Sequence, residues 1–283
     1  MRNLNLSADP AVLASDISLE YPAHSGARSF VAVQGVSFEI ENGGVLALLG
    51  ESGSGKSTLA RVLAGRATEA ADRSDRVKVT SGQGYVFGVG VKRLGRRERT
   101  RFTARVGFLP QEAGATLSPD LTIGDILTEP IRERDKHFDV NEAGERIAEM
   151  FETVALPLEM LQRYPYELSK GQRQRIAVMH SLMLEPALLV ADEPTLGIDP
   201  THRPSIVKLL QWYRKRTGAT MMLISHDIAT LEALVDQVVV LQEGQVVGRG
   251  SINTIFRDAQ HDYVVQLANA LRATAYDEVA RDK

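Results

Sequence analysis

The feature that most constrains this chain is the apolar run Val45-Leu46-Ala47-Leu48-Leu49, which stops at Gly50 and gives way to Gly50-Glu51-Ser52-Gly53-Ser54-Gly55-Lys56-Ser57. The loop has the form G-x-x-x-x-G-K-[ST], and the stretch after it, Thr58–Ala64, has helix-forming character. A strand, a glycine-rich loop and a helix in that order form a phosphate cradle. The glycines let successive backbone N–H groups converge on phosphate oxygens, and the helix adds the positive end of its dipole. Lys56 is placed to reach the terminal phosphates, and the Ser57 hydroxyl to ligate Mg²⁺.

A second apolar strand, Ala187-Leu188-Leu189-Val190-Ala191, ends in Asp192-Glu193-Pro194. Two adjacent carboxylates at the end of a buried strand are costly unless ligands compensate them. Side chains alternate along a strand, so the two are expected to have different roles. Asp192 suits the Mg²⁺ shell, and Glu193 suits polarising an attacking water as general base. A third strand-like run, Thr220–Ser225, leads to His226, placed where ligands of α/β sheets collect and suited to sensing a γ-phosphate. His24, His137, His180, His202 and His261 have no comparable setting and are read as structural or exposed. Gln111 ends the run Val106–Pro110, where a neutral amide is suited to ligating Mg²⁺ or orienting water. Tyr21 lies upstream of the loop, and both stacking on adenine and core packing fit it.

The rest of the chain frames these segments. Leu13–Tyr21 and Val31–Ile40 alternate apolar and polar residues, as half-buried strands do, with Asn42-Gly43-Gly44 as a turn. Short strands are expected at Val77–Val79 and Tyr85–Val89, and the glycines of 82–90 read as a hairpin or loop. From Ile123 to Glu185 the period becomes helical: Ile123, Ile126 and Leu127, then Ile147, Met150, Phe151 and Val154. The charged Arg132–Asp139 and Pro157 interrupt that helical insertion. Strand-like runs alternating with helical Ser205–Arg216 and Ile228–Val235 then argue for parallel-sheet units. Asn253–Leu271 reads as helical.

Composition removes several function classes. Net charge is −3, so no global field favours nucleic acid or anionic lipid. The basic cluster Lys92–Arg99 lacks interleaved aromatics and reads as a solvated face, so no nucleic-acid partner is expected. Cysteine is absent, which excludes disulfides, thiolate metal sites and thiol nucleophiles. Met1–Pro10 has no apolar signal core, and no run approaches the roughly 18–20 apolar residues of a membrane span. If the protein works at a membrane, another chain supplies the span.

One more segment, Leu168-Ser169-Lys170-Gly171-Gln172 followed by Arg173-Gln174-Arg175, completes the pattern. A hydroxyl and a glycine N–H at a helix start form a second anion site, which is useful when two chains meet head to tail around two nucleotides. With these motifs in this order the chain resembles the ATP-binding subunits of ABC transporters, over roughly Leu13 to Leu271. The resemblance implies an α/β P-loop NTPase of the ABC ATPase type, with a mixed core sheet, an N-terminal antiparallel β-subdomain and an inserted α-helical subdomain. Residues 1–250 then form one ATPase domain, with the helical insertion at about 112–185 and a C-terminal extension at 251–283.

By the same resemblance Tyr21 looks like the adenine-stacking aromatic, Gly50–Thr58 like Walker A and Gln111 like the Q-loop. Ser169, Gly171 and Gln172 look like signature residues that meet the partner's ATP. Asp192 and Glu193 look like Walker B with its base, Asp199 like the D-loop aspartate, and His226 like the H-switch. ATP and Mg²⁺ are the implied ligands. The implied partners are a second ATPase subunit, integral membrane permease subunits and, through them, an extracytoplasmic solute-binding protein. The implied location is the cytoplasmic face of the membrane.

The segments Arg163–Ser169 and Ile255-Phe256…His261-Asp262-Tyr263 most resemble the dipeptide, oligopeptide and nickel import subgroup. Three segments depart from the family pattern. Lys170 replaces a signature glycine, Leu196-Gly197-Ile198-Asp199 stands where Ser-Ala-Leu-Asp is usual, and Asp262 replaces a proline of the tail element. The alternatives are a soluble ABC ATPase acting on ribosomes or DNA, and an ATP-binding module of a non-transport complex.

Overall fold

Alternating burial in the N-terminal third gives two long antiparallel strands, β1 (Val12–Tyr21) and β2 (Phe30–Ile40), with β1 side chains such as Ile17 and Leu19 fully buried. The structure is a computed structural model that describes residues 9–23, 28–67, 76–135, 138–257 and 259–281; the side chains of 256 and 274–281 are excepted. His24 and His137 lie outside the described residues. The apolar run before the glycine loop is β3 (Val45–Gly50), and α1 (Lys56–Leu63) follows the loop. Next come β4 (Lys78–Val86), β5 (Val89–Gly90), α2 (Arg96–Thr103) and β6 (Val106–Leu109).

Three α-helices fill the helical stretch: α3 (Ile123–Arg134), α4 (Val140–Thr153) and α5 (Lys170–Leu182). The strands then resume as β7 (Leu188–Asp192), β8 (Thr220–Ile224), β9 (Gln237–Gln242) and β10 (Gln245–Gly250). Helices α6 (Arg203–Thr217) and α7 (Ile228–Leu234) intervene, and α8 (Ile252–Arg257) and α9 (Asp262–Arg281) close the chain.

Two sheets result. A four-stranded antiparallel sheet has the order β2-β1-β4-β5. A six-stranded sheet has the order β10-β9-β3-β8-β7-β6, parallel from β9 to β6 with β10 antiparallel at one edge. The six-stranded sheet is mixed and is covered on both faces, which its continuous apolar strands require. Along β3, Val45, Ala47 and Leu49 enter one core with α3–α7, while Leu46 and Leu48 enter another with α1 and the antiparallel sheet. Strands β7, β8 and β9 divide their side chains in the same way. Each large buried side chain contributes about 1.5–3 kcal/mol. The order β3-β8-β7 sets the C-terminal ends of these three strands side by side, and that positions the site.

The structure alters four details of the sequence reading. The expected short strands at Val77–Val79 and Tyr85–Val89 are one strand, β4, with a two-residue β5 after a turn. Gly82 is not punctuation there: a Cβ on it would lie 2.0 Å from the Asp16 carbonyl oxygen, where β1 bulges toward β4. The charged segment expected to interrupt the insertion partly belongs to α3, whose last turn carries Arg132 and Arg134, favourable at the negative end of a helix. Strand β10, with its half-buried pattern and two glycines, was not expected. The expected helix over Asn253–Leu271 is two helices, and buried Ile255, Tyr263, Val264 and Leu271 join them to the main core.

Candidate nucleotide site

The loop between β3 and α1 owes its course to glycines at close approaches. Gly50 has φ +141°, and a Cβ there would lie 2.1 Å from the Leu241 carbonyl oxygen on β9. Gly55 has φ +96°, and its Cβ would lie 2.3 Å from the Ala32 carbonyl oxygen on β2. Helix α1 has no side-chain cap and no acidic residue in its first turn, so its first N–H groups and its positive end remain available to an anion. The Lys56 ammonium donates to the carbonyl oxygens of Gly50 (2.7 Å) and Glu51 (2.6 Å) and to Ser54 Oγ (3.3 Å). Burial lowers its pKa, against the opposing fields of Asp192, Glu193 and Glu51.

Asp192 ends β7, buried, and accepts a hydrogen bond from the Ser57 hydroxyl. Burial raises its pKa, while Ser57 and Lys56 hold it down. Glu193 lies beyond the strand at φ +54°, in left-handed space that a non-glycine residue enters at a cost, and its N–H donates to the Ile224 carbonyl at 2.9 Å. Strand alternation therefore does not separate the two carboxylates, since both face one cleft. The turn at Glu193, rather than the pleat, brings the second side chain there.

Glu193 Oε1 lies 3.3 Å from His226 Nε2. Burial, with Asp192 adding its charge, pushes the Glu193 carboxyl up to about 7. Burial and then Lys56 lower the His226 pKa, which favours the uncharged imidazole at neutral pH, and the His226 backbone N–H donates to the Glu193 carboxylate.

These groups share one cleft of about 210 Å³, lined by Ser52, Gly53, Gly55, Lys56, Ser57, Thr58, Gln111, Asp192, Glu193 and His226, with Phe30, Ala32 and Ile224. Ser57 hydroxyl, Asp192 carboxylate and Gln111 carboxamide are all hard oxygen donors, the chemistry that Mg²⁺ takes. Gly50, Glu51 and Ser54 shape the loop without lining the cleft, and the Glu51 and Ser54 oxygens are held by Lys56. Tyr21 does not line it either. Its hydroxyl shares a 3.0 Å hydrogen bond with Thr58 Oγ1, and its ring packs on the core beside the loop. The aromatic at the cleft is its cross-strand partner Phe30, 58% exposed. Sequence reading missed Phe30; an aromatic opening a strand paired with Tyr21 was the available signal.

The segment 168–172 stands outside this cleft. Ser169 caps α5, accepting from the Gln172 N–H at 3.2 Å, while Gln172 Oε1 accepts from the Ser169 N–H at 2.8 Å. That box occupies the Gln172 side-chain oxygen but leaves the N–H of Gly171 at the helix start. Asp199 caps its own turn, accepting from the Thr201 N–H and hydroxyl, and these bonds lower its pKa. Sequence reading also missed Gln174, 2% exposed on α5. Its Oε1 accepts from the Gly114 N–H at 3.1 Å, and its Nε2 donates to the carbonyls of Glu193 and Pro194 at 3.4 Å each. A glutamine one turn before Ala177 and Val178 on a buried helix face was the signal.

A second groove, of about 280 Å³, runs between β6, α3 and α5, with Phe108, Leu109, Pro110, Leu117 and Ile126 on its walls and Glu129 and His180 among them. Among the described residues no helix is long and apolar enough to cross a membrane.

The sequence model of the family described as "ABC transporter" matches residues 33–196. The chain is 33% identical over 261 residues to the oligopeptide transport ATP-binding protein OppF of Lactococcus lactis, covering 90% of this chain and 78% of that protein. It is also 33% identical over 265 residues to the dipeptide transport ATP-binding protein DppF of Haemophilus influenzae, covering 92% and 78%. Among solved structures, the ATP-binding cassette MJ0796, dimeric in a post-hydrolysis state with ADP and Pi, matches with a TM-score of 0.73 and 25% identity over 85% of this chain and 98% of that one. The family match, the sheet order and the cleft agree: this chain belongs to the ABC transporter family, as one of its ATP-hydrolysing ATP-binding subunits.

Proposed function

We propose that this chain drives peptide import, hydrolysing MgATP at the interface of a head-to-tail cassette dimer attached to separate membrane subunits. The observation that carries the chemistry is the convergence of Lys56, Asp192, Glu193 and His226 on one cleft at the ends of three adjacent strands. In this reading the loop amides and Lys56 take the β- and γ-phosphates once the ammonium turns from the Gly50 and Glu51 carbonyls. Ser57, Asp192 and Gln111 would hold Mg²⁺, which neutralises phosphate charge when bound. Glu193, with a pKa near 7, takes the proton of the attacking water, and His226 holds the Glu193 carboxylate oriented and meets the γ-phosphate. Phe30, backed by its cross-strand partner Tyr21, supplies the aromatic edge for the adenine.

Ser169 and Gly171 lie outside their own chain's cleft, which supports their serving the nucleotide of a second cassette. The groove between β6, α3 and α5 begins beside Gln111 and has an apolar wall, which suits a helix of a permease subunit. The names of the relatives, oligopeptide and dipeptide transport proteins, support peptides as cargo. A location on the cytoplasmic face of the membrane and an extracytoplasmic peptide-binding protein follow from that reading. The test is co-expression with the membrane subunits, reconstitution in vesicles and ATPase assay with short peptides and their binding protein. Stimulation by peptide above the basal rate of the isolated chain, lost when the membrane subunits are left out, is expected. Hydrolysis indifferent to both would contradict the proposal.

A further inference from the structure

The first turns of α5 are fastened on two sides. On one side is the loop after β6. A Cβ on Gly114 would lie 2.7 Å from the Gln174 backbone nitrogen and 3.0 Å from its Cα, so that loop rests directly on the helix backbone. Its Gly114 N–H is taken by Gln174 Oε1, and its Glu112 pairs with Lys170 at 3.6 Å. On the other side is the turn after β7, where Gln174 Nε2 holds the Glu193 and Pro194 carbonyls. One buried carboxamide thus bonds the loop that carries Gln111 and the strained turn that carries Glu193. A left-handed non-glycine residue persists only where its surroundings fix it. The two peptide carbonyls that follow Glu193 both use this donor, while the Glu193 N–H before them is held by the Ile224 carbonyl.

From this geometry we infer that Gln174 is a positioning residue for hydrolysis: it fixes the Glu193 turn against the Gln111 loop, so that a displacement of the loop moves Glu193. The inference rests on Glu193 being the general base. Gln174 itself touches neither nucleotide nor water; its effect reaches the reaction through the Glu193 backbone. Misplacing a reacting group by about an ångström is enough to slow a reaction about ten- to hundredfold without weakening ground-state binding.

The test is a double-mutant cycle on the full chain with Gln174→Met, which keeps the length and removes the donor and acceptor, and Gly114→Ala, which lifts the loop off α5. Steady-state ATPase and thermal melts are recorded for both singles, the double and Glu193→Gln. The expected result is a loss of about tenfold or more in kcat for each single variant, with KM for ATP within about twofold of wild type. The double variant should lose no more than about twofold beyond the worse single, because a loop uncoupled from Glu193 has nothing left to move. Multiplying losses, a loss carried by KM, or a Gln174→Met chain without a cooperative melt would overturn the inference and leave Gln174 a packing residue. An inactive Glu193→Gln beside a fully active Gln174→Met would overturn it alone. An active Glu193→Gln would remove the base assignment beneath it.

Discussion

The side chain of Lys170 lies across Gly197: a Cβ placed on Gly197 would sit 2.8 Å from Lys170 Cε and 3.1 Å from its Cδ. These are two of the positions at which the chain departs from its family's usual motifs. In the structure the two positions touch, the lysine stem lying over a glycine whose φ of +72° suits that residue. The Lys170 ammonium then reaches Glu112, an exposed pair worth about 0–1 kcal/mol. Gly197→Ala should destabilise the wild type in two ways, by displacing Lys170 and by forcing alanine to φ +72°, a conformation that costs about 1–2 kcal/mol. With Lys170→Gly in place only the backbone cost should remain. Urea denaturation of the four chains checks this: a coupling of about 0.5 kcal/mol or more is expected, and additivity would separate the two residues.

Glu193 makes stability depend on pH in a direction opposite to a salt-bridged carboxylate. Its folded pKa, about 7, lies above the ordinary 4.5 because burial disfavours the charged form. The fold therefore favours the protonated acid. That stabilisation is complete below pH 4.5 and is lost as pH rises through 7. A rise from 4.5 to about 7 corresponds to about 3 kcal/mol. Glu193→Gln does not ionise and escapes the loss. In nucleotide-free, EDTA-treated protein the Gln variant should gain on the wild type by up to about 3 kcal/mol between pH 4.5 and pH 8.5. A difference between the two chains that is flat with pH would show that Glu193 titrates normally.

Lys56 places its positive charge beside the Asp192 and Glu193 carboxylates in the cleft, where the proposed function puts the phosphates. Removing it leaves Asp192 and Glu193 without that field, and a charged phosphate group without its charge-assisted donor. Lys56→Ala should weaken ATP binding at least about tenfold in a calorimetric titration, given about 1.5–3 kcal/mol for such a bond. Undiminished affinity would exclude Lys56 from the phosphate site.

The part of this architecture that could be read in advance is the part dictated locally. Val45–Leu49, Ala187–Ala191 and Met221–Ile224 are continuous apolar runs, each followed by residues that line the cleft. Runs of that kind, alternating with helical segments, argue for buried parallel strands, and the structure sets their ends side by side at one edge. The helices α3 and α4 were legible from their 3.6-residue period. What was not legible depends on pairing across distance. Tyr21 alone fits both stacking and core packing, and only its register with Phe30, its bond to Thr58 and the cleft lining show which aromatic meets the cleft. The turn at Glu193 departs from strand alternation because its N–H is captured by Ile224 on the neighbouring strand. Gln174 sits within the motif that sequence reading quoted, but its three partners come from loops 60 and about 20 residues away in the chain. A polar residue on a buried face declares that partners exist without naming them.

The central claim is that Glu193 is the base of a nucleotide site completed by a second cassette. Sedimentation of the Glu193→Gln chain in MgATP, with ATP turnover measured on the same sample, tests it most directly. The account predicts hydrolysis reduced by about 10²–10⁴-fold and a stable ATP-dependent dimer that disperses when Lys56→Ala is added. Hydrolysis near the wild-type rate would contradict the assignment of the base. A chain that is inactive but remains monomeric with ATP bound would contradict a site that a second copy of this chain completes.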